Sequence, residues 1–172
     1  MKTAKEISLL GVFIALLIGG QFALSAVSGV EVVTVLAVTF FYFFGAKRGV
    51  ILATAFSLLR CLAFGFFANV VILYLIYYNA LALIFGLIGK ALNKKISLKA
   101  VVIVTLTAVV CTVLFTVLDN FISYIYFGLS QKAFEVYFNA SLLTMIPHAV
   151  CVLVTVPLLF YPLIKIYKTV KL

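Results

Sequence analysis

The sequence predicts an all-α integral membrane protein with six transmembrane helices and both termini in the cytoplasm. Three observations carry that prediction: the composition, the spacing of the apolar runs and the placement of the basic residues. Of the 172 residues, 67% are hydrophobic and only 10% are charged, against about 25% charged in an ordinary soluble domain. A water-soluble fold of this composition would expose enough apolar surface to aggregate. That excludes a cytosolic enzyme, a nucleic-acid-binding domain and a disordered tail. The net charge of +9 does not argue for a nucleic-acid partner. The basic residues form short clusters between apolar runs, as the loops of a membrane protein do.

A membrane helix needs about 20 mostly apolar residues at 1.5 Å each. The first such run covers about residues 7–27, between Glu6 and Glu31, and the second about 30–46, ending at Lys47 and Arg48. The stretch 49–89 is too long for one crossing and must turn, most simply between Gly65 and Asn69. That yields a third span at 49–66 and a fourth at 69–89. The basic segment Lys90 to Lys99 follows, then spans at 100–127 and 140–164, with residues 128–139 as their connecting loop. All six belong to one membrane domain covering 1–172.

The charges test this count. With the N-terminus inside, the cytoplasmic segments carry Lys2, Lys5, Lys47, Arg48, Lys90, Lys94, Lys95, Lys99, Lys165, Lys168 and Lys171. The outside loops hold Lys132 alone, and Arg60 lies within a span. Such asymmetry is the positive-inside rule. Merging the third and fourth spans would put Lys90–Lys99 outside, so parity supports the turn. The N-terminus has a rival reading, a cleaved signal peptide ending near Ala23–Ala26. Against it, the apolar run is long and Glu6 stands at its start.

Polar groups within spans are costly and line cavities or partner contacts. Counted by depth, they crowd the outer half: Gln21, Arg60, Tyr74, Tyr78, Asn79, Asp119, Asn120 and His148. The inner halves offer mainly Ser and Thr, which can bond back to their own helix. This polarity predicts a pocket open to the outside, with Arg60, Asn79, Asp119, Asn120 and His148 converging on it and Tyr74 or Tyr78 as an apolar wall. Tyr74 and Tyr78 share a face as i,i+4 neighbours, and Tyr77 is expected to turn away. A competing reading pairs Arg60 with Asp119 as a buried structural bridge. Another makes His148 a donor between helices, and a third leaves Asn69 as a helix cap.

The first helix carries Gly11, Ala15, Gly19 and Ala23 at four-residue spacing. Such a small-residue ridge lets another helix approach closely; the competing reading is packing against a helix of the same chain. Between the first two spans, Ser28 and Gly29 favour a turn and lead to Glu31, the only acid of that segment. This segment, Ser25 to Thr34, is expected to act as a gating loop over the pocket. Cys61, Cys111 and Cys151 lie far apart in apolar runs without metal-ligand spacing, and read as buried small residues. No hydrolase, zincin or nucleotide-binding motif is present, so neither a metal, a cofactor nor an enzymatic activity is expected.

Six spans in a short chain, cytoplasmic termini and the ridge Gly11-Val-Phe-Ile-Ala15, continued by Ala15-Leu-Leu-Ile-Gly19, resemble an S component. S components are the substrate-binding membrane subunits of energy-coupling factor (ECF) vitamin transporters. The resemblance covers the whole chain in architecture; the family's AxxxA motif has Gly in place of its first Ala. It implies capture of a water-soluble vitamin or related micronutrient from outside. It also implies docking through Gly11, Ala15 and Gly19 to an ECF transmembrane subunit that works with two cytoplasmic ATPases, and a pocket covered by the loop of Ser28, Gly29 and Glu31. The alternatives are a small membrane enzyme using Asp119 and His148, and a structural envelope protein.

Overall fold

The computed structural model describes residues 2–27, 30 and 32–169. All regular structure among them is helical. The helices are α1 (Lys2–Leu24), α2 (Val33–Phe44), α3 (Ala46–Leu59), α4 (Cys61–Phe64), α5 (Ala68–Ala91), α6 (Leu98–Phe127) and α7 (Gln131–Thr169). Four of them, α1, α5, α6 and α7, are long and apolar enough to cross a membrane. That is the architecture of a multi-pass membrane protein.

The breaks fall where the backbone demands them. Gly45 and Gly65 adopt φ values of 88° and 83°, a region costly for any residue with a Cβ. Gly45 separates α2 from α3, and Gly65 ends α4 where the turn between the third and fourth runs was expected. α3 and α4 form one rod interrupted at Arg60, whose N–H still bonds the Phe56 carbonyl. Gly128, left-handed at φ 58°, closes α6.

Two expectations need correction. The second apolar run forms a helix of only 12 residues, about 18 Å long against a hydrocarbon core of about 30 Å. α2 is the buried centre of the bundle: Val35, Ala37, Val38, Phe40, Phe41 and Tyr42 are all sealed, so its apolarity serves packing as much as lipid. The loop expected at 128–139 is also mostly helix. α7 starts at Gln131 and runs 39 residues, about 58 Å, more than a bilayer requires.

Side-chain pairs give the directions of the rods. Along α1 and α3, Glu6 pairs with Arg48 near their starts and Gln21 meets Arg60 near their ends, so these two run parallel. α3 and α5 run antiparallel, with Gly49 against Ala82 and Ala46 against Gly86. α2 and α7 align with α5: Thr34, Tyr74 and His148 meet round one cavity, and further along Tyr42 meets Gly89 and Phe160. α6 and α7 form an antiparallel hairpin joined by Asn120 and Ser141. Counting α3 and α4 as one rod, direction alternates along the chain. Glu6, Gly45, Lys90 and Tyr167 therefore gather at one end of the bundle, with Lys47, Arg48, Lys94 and Lys95 beside them.

Candidate functional site

At the other end lies a cavity of about 210 Å³, enclosed by the end of α1, the start of α2, the first half of α5, and α6 and α7. Its walls are aromatic: Tyr74, Tyr77 and Tyr78 from α5 and Phe115 from α6. Tyr77 meets Phe115 at 4.7 Å and Tyr78 at 5.2 Å between ring centroids, and Tyr74 meets Tyr78 at 5.2 Å. Polar groups are few: Gln21 and Ser25 from α1 and its end, Thr34, Thr112 and His148. Pro147, inside α7 next to His148, supplies no N–H to the preceding turn and loosens the helix there.

Gln21 organises one side of the cavity. Its amide donates to the Tyr74 hydroxyl at 2.7 Å and its oxygen accepts from Arg60 Nε at 3.3 Å. The Arg60 guanidinium lies 4.1 Å from the Tyr74 ring centroid and 4.9 Å from that of Phe64, a double cation–π arrangement. Arg60 is only 7% exposed. It stands directly behind two residues of the wall, Gln21 and Tyr74.

The other sequence-expected residues divide. Tyr74, Tyr78 and His148 line the cavity. Asn79 does not: its oxygen accepts from Thr54 at 3.1 Å and its amide donates to the Leu75 carbonyl at 2.8 Å, so it ties α5 to α3. Asp119 and Asn120 face the α6–α7 seam instead. Asp119 accepts from the Tyr137 hydroxyl at 3.3 Å, and Asn120 donates to Ser141 at 2.8 Å and to the Thr116 carbonyl at 2.7 Å. Arg60 and Asp119 do not pair, so the bridge reading gives way to two separate polar centres. Ser28, Gly29 and Glu31 of the expected gating loop lie outside the described residues, although their neighbours Val27, Val30, Val33 and Thr34 line the cavity.

Tyr77, Thr112 and Phe115 line the cavity without having been expected there. Tyr77 was expected to turn away, yet Tyr74, Tyr77 and Tyr78 stand at i, i+3 and i+4, the spacing of a single helical stripe. That signal was available in the sequence. Thr112 carried none, because a threonine facing a cavity and one bonding its own helix read alike.

The ridge residues Gly11, Ala15 and Gly19 are exposed, while Phe13 and Leu17 of the same helix point into the core. A Cβ placed on Gly11 or Gly19 would meet nothing within 4 Å, so among the described residues nothing packs against the two ridge glycines. Gly11 and Ala15 form one edge of an apolar groove completed by Ile14, Ile18, Leu59, Leu62 and Ala63. Among the described residues no cluster of His, Cys, Asp and Glu is arranged to hold a metal. No family model, curated protein or solved structure matches the chain.

Proposed function

We propose that this protein is the substrate-capturing membrane subunit of an ECF-type importer, taking a small vitamin-like molecule from outside the cell. The observation that carries the reading is the cavity: aromatic walls with a few placed polar groups, the composition of small-ligand sites, at the end of the bundle opposite the lysine-rich connections. In this reading six rods lie across the membrane, the 12-residue α2 through only part of its thickness, and the lysine-rich end is cytoplasmic, by the positive-inside rule. The exposed ridge Gly11, Ala15 and Gly19 receives a helix of an ECF transmembrane subunit, whose two ATPases supply the energy. The chain itself is not an enzyme and carries no cofactor. An enzyme working through Asp119 and His148 would need a common site. His148 lines the cavity, whereas Asp119 is turned to Tyr137.

Mass spectrometry of small molecules released from the detergent-purified protein tests the capture. The expected result is one enriched compound that disappears when Thr34→Phe fills the cavity, with the thermal melt of the protein unchanged. An extract of the wild type no different from that of the filled variant would defeat the reading and favour a structural envelope role.

A further inference from the structure

We infer that the captured molecule is an anion: a small ring-bearing carboxylate or phosphate whose negative charge is drawn to Arg60. This deepens the proposed capture function and rests on it. The inference starts from charge. No residue of the cavity wall carries a negative charge among those described. Among the described residues, the one permanent charge beside the wall is the Arg60 guanidinium, nine-tenths buried and in contact with both Gln21 and Tyr74 of the lining.

Arg60 has no carboxylate counter-ion among the described residues, where the single ion pair joins Glu6 to Arg48 at the far end of the bundle. Asp119 is engaged by Tyr137, Glu135 is exposed on α7, and Glu31 lies outside the described residues. Gln21 and two aromatic faces satisfy the guanidinium only as neutral dipoles and quadrupoles. A buried cation held this way retains most of its field, and in a low-dielectric pocket that field acts on whatever enters. His148, also in the lining, adds no negative charge. The aromatic lining specifies the rest of the ligand: Tyr74, Tyr77, Tyr78 and Phe115 offer ring faces and edges to a flat group. A cavity of about 210 Å³ suits a compact ligand of one or two rings.

The test uses matched probes that differ only in charge: nicotinate against nicotinamide, and 4-aminobenzoate against 4-aminobenzamide. Each is read by thermal shift of the purified protein in detergent, alongside the charge class of any molecule retained through purification. The expected result is that the carboxylate of at least one pair stabilises the protein more than its amide does. Arg60→Gln should then weaken the carboxylate more than about tenfold, as loss of a desolvated charge partner does, while Arg60→Lys keeps part of the affinity. Should Arg60→Gln fail to fold, the comparison on the wild type decides alone. A retained molecule that is neutral or cationic, or amides that match or exceed their carboxylates, overturns the anion assignment and leaves capture standing. No retained molecule and no probe effect overturns both.

Discussion

Gly89 and Gly86 show how tightly single residues constrain this bundle. A Cβ on Gly89 would run into the backbone carbonyl of Tyr42, and one on Gly86 into the backbone of Ala46. Neither obstacle is a flexible side-chain tip, so relief requires moving a helix. Gly89→Ala is expected to cost about 1–3 kcal/mol, the range for overpacking a tight contact, and Gly11→Ala to cost nothing measurable because open space surrounds it. Thermal unfolding of both variants in the same detergent checks the contrast. Thr105 offers the opposite case: its hydroxyl is buried without a hydrogen-bond partner among the described residues. Thr105→Val removes an unsatisfied polar atom at nearly constant shape. It should leave stability unchanged or raise it by up to about 1 kcal/mol.

Among the elements, the α6–α7 hairpin and α1 are held in different ways. The hairpin carries a polar seam of Asp119, Asn120, Ser123, Tyr137 and Ser141, with Asn120 1% exposed. Hydrogen bonds between membrane helices contribute about 0.6–2 kcal/mol. Asn120→Ala is therefore expected to lower the melting temperature while leaving ligand capture intact in the folded fraction, since Asn120 does not reach the cavity. Loss of capture at full stability would instead place this seam in the site. α1 is tethered by Glu6 to Arg48 at one end and by Gln21 to Arg60 and Tyr74 at the other. The first pair is more than a third exposed on both sides, so screening leaves it worth little. Glu6→Gln should hardly move stability, whereas Gln21→Ala should speed hydrogen exchange along the second half of α1. Equal exchange in both variants would show that apolar packing alone holds this helix.

For the molecule as a whole, alternation of the rods brings the start of α1 and the end of α7 to the lysine-rich end, and the proposed orientation puts that end in the cytoplasm. Cysteine labelling of whole cells tests it in a background where Cys61, Cys111 and Cys151 are replaced. Lys132→Cys, on the exposed first turn of α7, should react with a membrane-impermeant maleimide added outside. Lys94→Cys should react only after permeabilisation. The reverse pattern would invert the molecule and make the cavity face inward. Docking through the α1 ridge has its own signature at this scale. Ala15→Leu should abolish uptake while leaving capture by the purified protein unaltered, because this position faces away from both core and cavity. Combined loss of capture and folding would count against a docking role.

Residue order alone makes the chain predominantly helical and apolar, places the ends of α5 and α6 to within a few residues, and puts a break at Gly65 in the stretch between Gly49 and Gly89. These features follow from local chemistry: apolar run length, and the few residues that tolerate a positive φ. The three-tyrosine stripe of α5 follows from i, i+3, i+4 spacing, yet Tyr77 was expected to turn away and the structure puts it in the wall. Packing in three dimensions makes α2 a short central helix and carries α7 through the expected loop. In both cases the neighbours, not the run of residues, set the length. The division of the polar groups was likewise invisible at the level of depth. Asn79, Asp119 and Asn120 share their height in the bundle with the cavity, but height along a helix does not give rotation about it. Rotation is set by which faces pack together, and packing sends these three side chains to the α3–α5 contact and the α6–α7 seam and leaves Arg60 behind Gln21 and Tyr74.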